Sequence, residues 1–209
     1  MEIDRSHIVI AGNIGAGKST LAEMLGGKFN WMVKYENVEN NPYLSDFYED
    51  MHRWAFNLQV FFLNSRFEQI KEINRVSEPI IQDRSIYEDA FVFAKSLNDQ
   101  GILSERDYKS YLRLFNSMME LVHPPDLLIY LKSDIPKLLE NIQKRGRNYE
   151  RNLSTDYLIE LNRHYEEWIS SYENGASLTV DASKLNFVDN PKDFQLICNQ
   201  VKKALEHNL

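Results

Sequence analysis

Residues 12–20 read Gly-Asn-Ile-Gly-Ala-Gly-Lys-Ser-Thr and follow directly on the apolar run Ile8-Val9-Ile10-Ala11. The pattern G-x-x-x-x-G-K-S needs a strand to deliver it and a helix to receive it. Its glycines must curl the chain until successive N–H groups point inward, and the helix must then begin on the same spot with its positive dipole end. A chain that meets this condition is an α/β chain, and what such a curl holds is phosphate. The cradle is Gly12, Asn13, Ile14, Gly15, Ala16, Gly17, Lys18, Ser19 and Thr20. Lys18 is expected to reach the β- and γ-phosphates of a nucleoside triphosphate, with the Ser19 hydroxyl as a ligand for Mg²⁺. A dinucleotide fingerprint does not fit, because Thr20 stands where its third glycine is needed.

Four further short apolar runs, Met32–Tyr35, Pro79–Gln82, Leu127–Leu131 and Ser177–Val180, alternate with stretches of helical period. With the first run, His7–Ala11, they predict a five-stranded parallel sheet flanked by helices on both faces. Tyr108, Leu112, Phe115, Met119 and Val122 share one helical face, as do Leu158, Leu161, Tyr165, Trp168 and Tyr172, with Ser104 and Ser154 as candidate caps. A long helix is expected from about Trp54 to Val76. At 209 residues and 43% hydrophobic, with no linker or repeat, the chain is expected to be a single domain over residues 1–209.

A net charge of −7 argues against a nucleic-acid polymer as partner, which would call for a broad basic face. No apolar run approaches membrane-spanning length and the first residues are acidic, so no membrane partner and a cytoplasmic location are expected. The lone Cys198 sits at helical spacing from Phe194 and Val201 and reads as a buried small hydrophobe.

Open parallel sheets bind ligands beyond the carboxyl ends of their strands. Glu36 follows the second run, where a carboxylate can take the proton of a hydroxyl attacking a γ-phosphate; an ordinary exposed loop glutamate is the alternative. After the third run, Asp83 can hold Mg²⁺ directly or through water and Arg84 can anchor a base or a substrate oxygen; otherwise the pair is a helix cap with a surface arginine. Ser133-Asp134 after the fourth run reads as a cap before Pro136, and the likeness of Leu131–Asp134 to a guanine-reading element fails at Leu131. The basic run Lys144-Arg145-Gly146-Arg147, between two helices, suits a lid at about 144–152 that closes over phosphates, or else a solvated turn. On the long helix Gln59 and Arg66 share a face with Phe62 between them, and Asp89 and Phe93 share a face on the following helix. An amide beside aromatic rings suits a planar base.

Together these residues resemble the deoxynucleoside kinases, in particular the bacterial deoxyadenosine/deoxyguanosine kinase branch. The resemblance spans nearly the whole chain and rests on residues 12–19, Tyr35-Glu36 with Asn41-Pro42, Leu58-Gln59-Val60 through Asn64-Ser65-Arg66-Phe67, Asp83–Ala90, and Arg145–Glu150. It implies a P-loop kinase fold and transfer of the γ-phosphate of ATP to the 5′-hydroxyl of a deoxynucleoside, in nucleotide salvage. Glu36 is then the base for that hydroxyl and Arg84 holds both. Gln59 pairs with the nucleobase, Arg66 and Asp89 complete its edge, and Phe93 stacks on the ring beside Phe62. Tyr48 and Glu150 receive the 3′-hydroxyl, while Arg145 and Arg147 form the lid. Two departures stand out: Asp83 replaces the glutamate of animal relatives, and Tyr149 replaces a second acid. The Arg66/Asp89 pair argues against thymidine and favours deoxyadenosine, then deoxyguanosine, then deoxycytidine. The family's habit implies a homodimer. A nucleoside monophosphate kinase would need more arginines to clamp a second phosphate, and a non-catalytic nucleotide sensor would not need Lys18, Glu36 and Arg84 together.

Overall fold

The computed structural model describes residues 6–35, 41–147 and 153–206. Its sheet has five parallel strands, β1 (His7–Ala11), β2 (Met32–Lys34), β3 (Ile80–Asp83), β4 (Leu127–Lys132) and β5 (Ala176–Asp181), in the order β2-β3-β1-β4-β5. The sequence runs find these strands to within a residue or two. Helix α1 (Lys18–Phe29) follows β1, and a short α2 (Leu44–Glu49) leads into the long α3 (Met51–Ile73). After β3 come α4 (Ile86–Glu88), a wider π-helical turn (Asp89–Ala94) and α5 (Lys95–Asp99), then α6 (Glu105–Met119). Helices α7 (Ile135–Arg145) and α8 (Thr155–Ser170) separate β4 from β5, and α9 (Pro191–Glu206) follows β5.

The three inner strands β1, β3 and β4 are buried on both faces, and alternate side chains divide into two cores. Ile8, Ile10, Leu127, Ile129 and Leu131 pack with Leu21 and Leu25 of α1 and with Ile197, Cys198 and Val201 of α9. Ala11, Leu128 and Tyr130 face the other way, towards Leu58 and Leu63 of α3, Tyr111 and Phe115 of α6, and Leu161, Tyr165 and Trp168 of α8. Both aromatic stripes and Cys198 are therefore core, as their spacing predicts.

Helix starts follow local chemistry. Ser104 accepts from the Asp107 N–H, Ser154 from the Tyr157 N–H and Asp134 from the Lys137 N–H, so all three expected caps are present. Three boundaries need correction. The long helix covers 51–73, because Asp50 caps it through the Arg53 N–H and draws three more residues in. Strand β2 stops at Lys34, because the Tyr35 carbonyl accepts from the Gln69 side chain (3.0 Å). Lys144 and Arg145 close α7, with Gly146 as its left-handed cap, so the basic run begins inside a helix.

Candidate functional site

Strand β1 is central, and the chain departs to β2 and β3 on one side and to β4 and β5 on the other. The phosphate loop thus lies at the topological switch point. Gly15 (φ +83°) and Gly17 (φ +93°) take left-handed conformations that close the curl, and α1 begins at Lys18. Asparagines strap the loop from outside. Asn141 donates to the Gly15 carbonyl (2.8 Å), while Asn13 donates to the Leu158 carbonyl (3.0 Å) and accepts from the Ile14 N–H (2.7 Å). The Asn13 side chain is therefore occupied by α8, leaving its main chain for phosphate. Lys18 is buried and donates to the Asn13 carbonyl (3.0 Å), lying across the loop.

Beyond the strand ends lies a cleft of about 1000 Å³, open mouth included. Ile14, Gly15, Lys18 and Ser19 form its floor at the loop; Asp83, Arg84, Arg145 and Arg147 add charge. Gln59, Phe62, Asp89, Phe93 and Tyr48 add further wall. One cavity thus gathers residues from six separated stretches of sequence. Arg66 stands behind the wall, 1% exposed, with Nε 3.4 Å from Asp89 Oδ2. Gly12, Asn13, Ala16, Gly17 and Thr20 lie outside the lining, and Thr20 is exposed on α1. Glu36 and Glu150 lie outside the described residues.

The alternative left open by spacing, a helix cap with a surface arginine, does not fit the positions of Asp83 and Arg84. Ser85, not Asp83, caps α4, in a capping box with Glu88. Arg84 is buried rather than on the surface. It takes φ +74°, a left-handed conformation rare for a side chain of its size, and its N–H donates to the Ile10 carbonyl (3.0 Å). Its guanidinium lies over the Phe93 ring, 4.6 Å from the centroid, and Nη1 donates to the Tyr165 hydroxyl (3.4 Å).

Asp83 Oδ2 accepts from the Ser19 hydroxyl (2.5 Å), whereas Oδ1 is buried with no hydrogen-bond partner among the described residues. An oxygen pair with one member so placed, beside a serine hydroxyl at the phosphate loop, fits a hard divalent cation. The Gln59 Oε1 atom is likewise buried without a partner among the described residues, on a face that suits the polar edge of a base.

Sequence reasoning missed four contributors. Tyr157 of α8 lines the cleft, and burial pushes its phenol well above the usual range, with the Tyr48 charge adding to this and Arg84 opposing it. Phe47 and Leu58 supply apolar wall. Glu88, fully buried, accepts from the Gly12 N–H (3.2 Å), the Ser85 N–H (2.6 Å) and the Tyr165 hydroxyl (2.7 Å). The Ser85-x-x-Glu88 capping pattern was the available signal for it.

A phosphate loop facing a walled, base-sized cleft defines a P-loop phosphotransferase that acts on a small planar acceptor. The family model for deoxynucleoside kinases matches residues 8–206, and the chain belongs to that family: it is a deoxynucleoside kinase. It is 38% identical over 205 residues to the deoxyadenosine/deoxycytidine kinase of Bacillus subtilis, covering 97% of this chain and 94% of that protein. It is 44% identical over 167 residues to the deoxyadenosine kinase of Dictyostelium discoideum, covering 80% and 68%. The solved deoxyadenosine kinase of M. mycoides, with the products dCMP and dCDP bound, matches with a TM-score of 0.83 at 31% identity, over 94% of this chain and 99% of that one. No helix among the described residues is long and apolar enough to cross a membrane.

Proposed function

We propose that the enzyme transfers the γ-phosphoryl group of ATP to the 5′-hydroxyl of deoxyadenosine by preference, then of deoxyguanosine and deoxycytidine. The observation that carries this is one cleft lined by Lys18 and Ser19 of the phosphate loop together with Gln59, Asp89 and Phe93, and by Asp83 and Arg84. The deoxyadenosine activity of the Bacillus subtilis and Dictyostelium discoideum relatives supports deoxyadenosine as the first substrate. In this reading Glu36 accepts the hydroxyl proton as the 5′-oxygen bonds to the γ-phosphorus. The bond from that phosphorus to the β–γ bridging oxygen breaks, and ADP leaves. Arg84 fixes the attacking oxygen. Gln59 pairs with the base edge and Asp89 with Arg66 completes it, while Phe93 and Phe62 bracket the ring. Tyr48 and Glu150 receive the 3′-hydroxyl. Lys18, Arg145 and Arg147 neutralise charge developing on the transferring group. Ser19 and Asp83 are the residues that would hold Mg²⁺, which when bound offsets phosphate charge. We assign these roles to one domain over 1–209, with a lid at about 144–152, acting as a cytoplasmic homodimer.

Purified protein with Mg-ATP and each of the four deoxynucleosides tests the reading. Deoxyadenosine should give the highest kcat/KM, and turnover confined to nucleoside monophosphates would overturn it. Glu36→Ala should lower kcat by about 10²–10⁴ with much smaller changes in substrate binding. Light scattering at working concentration should return twice the chain mass.

A further inference from the structure

The cleft has two halves, a phosphate loop after β1 and an arginine after β3, and one buried carboxylate touches both. Glu88 Oε1 accepts from the Gly12 N–H at the entry of the loop and lies 3.8 Å from Arg84 Nη1, while Oε2 accepts from the Ser85 N–H directly after Arg84. The Tyr165 hydroxyl completes the junction. It accepts from Arg84 Nη1 (3.4 Å) and donates its single proton to Glu88 Oε1 (2.7 Å), with the Gly12 carbonyl 2.8 Å away as a second acceptor. Burial, reinforced by the Glu88 charge, pushes the Tyr165 phenol far above the usual range, so it stays a donor at any working pH. The ring cannot slide: it stacks on Tyr130 with centroids 5.8 Å apart and planes 14° apart, and Phe93 meets it edge-on at 6.4 Å.

A helix cap alone explains only the Ser85 bond. It does not call for a carboxylate that also reaches the loop 76 residues earlier in the chain, nor for a tyrosine 77 residues later aimed at the same oxygen. Arg84 meanwhile holds a left-handed conformation that its own side chain does not favour, so something outside the residue must fix it. We infer that Glu88 and Tyr165 are positioning residues that hold Arg84 and the phosphate loop in one rigid frame, setting the distance between the transferring phosphorus and the acceptor oxygen. The inference rests on the kinase reading above, in which the loop holds the donor and Arg84 the acceptor.

The test is steady-state phosphorylation of deoxyadenosine by the full chain. Tyr165→Phe keeps the stacked ring and removes only the hydroxyl. Its kcat should fall roughly 10- to 100-fold, as a small misplacement of reacting groups does, with KM for both substrates within about threefold of wild type. Glu88→Gln should show the same split, because one of its two acceptor oxygens becomes a donor facing another donor. Ser104→Ala, which removes the cap of the remote α6, is the control for stability loss, with unchanged kcat. An active wild type alongside Tyr165→Phe with kcat within twofold would overturn the inference alone. A wild type that phosphorylates no deoxynucleoside would overturn the kinase reading and this inference with it.

Discussion

Three glycines separate backbone strain from crowding, and their alanine variants should behave differently. A Cβ on Gly15 would lie 2.7 Å from the Leu138 carbonyl oxygen and 2.8 Å from Ile142 Cγ1, on a residue whose φ is +83°. The left-handed conformation costs an alanine about 1–2 kcal/mol, and forcing a methyl against α7 adds about 1–3 kcal/mol. The sum, about 2–5 kcal/mol, falls on the conformation of the loop that grips phosphate. If the loop shifts to relieve it, affinity for Mg-ATP should fall roughly 30-fold to a few thousand-fold, at about 1.4 kcal/mol per factor of ten. Gly26→Ala has no strained backbone but places its methyl 2.4 Å from Val33 Cγ2, so it should lower global stability by about 1–3 kcal/mol while sparing nucleotide affinity. Gly27, one residue on, meets nothing within 4 Å, and its alanine should stabilise α1 by about 0.5–1 kcal/mol. Isothermal titration with Mg-ATP and urea denaturation separate the three. A Gly15→Ala variant that binds Mg-ATP within threefold of wild type would refute the argument from loop geometry.

Asp89→Asn removes one partner of a buried ion pair with Arg66 and should cost on the order of 3–5 kcal/mol of unfolding free energy by urea titration, with a rise in KM for deoxyadenosine larger than that for ATP. Asp83→Asn replaces one carboxylate oxygen with an amide beside Ser19; half-maximal activity should then need about tenfold or more Mg²⁺, measured by metal titration at fixed ATP. Burial holds the His7 imidazole below its ordinary value of 6.5, against smaller opposing effects of Gln82 and Asp126. As pH falls below about 6.5 the unfolded chain therefore takes up the proton first, and stability present above that pH is lost towards the folded value. Denaturation between pH 7.5 and 5 should show this slope, shallower in His7→Asn.

How far the sequence reaches depends on the range of each interaction. Strands β1 and β4 were legible because both faces are buried and Ile8–Ala11 and Leu127–Leu131 are unbroken apolar runs. Caps such as Asp134 before Pro136 act within three residues and could be read directly. Gln59, Asp89 and Phe93 followed from helical spacing and resemblance, and they meet in one cleft. What could not be read is long-range or conformational. Nothing local marks Arg84 as left-handed, and the Gly12–Glu88–Tyr165 junction joins three stretches that only the folded sheet brings together. The resemblance puts Arg66 on the base edge with Asp89; that it stands 1% exposed and acts there through its pairing with Asp89 is a matter of tertiary burial that no local pattern marks.

The wide turn at Asp89–Ala94 sets how this part of the gene can vary in length. An α-helix advances about 100° per residue, so losing one residue from this turn and returning to ordinary winding would swing Lys95–Asp99 about a quarter of the way round its axis. Leu97, fully enclosed, would then trade places with more exposed neighbours such as Lys95. Deletions here should be purged, whereas the exposed turn at Gln100-Gly101, with open space around Gly101, tolerates changes in length better than this one.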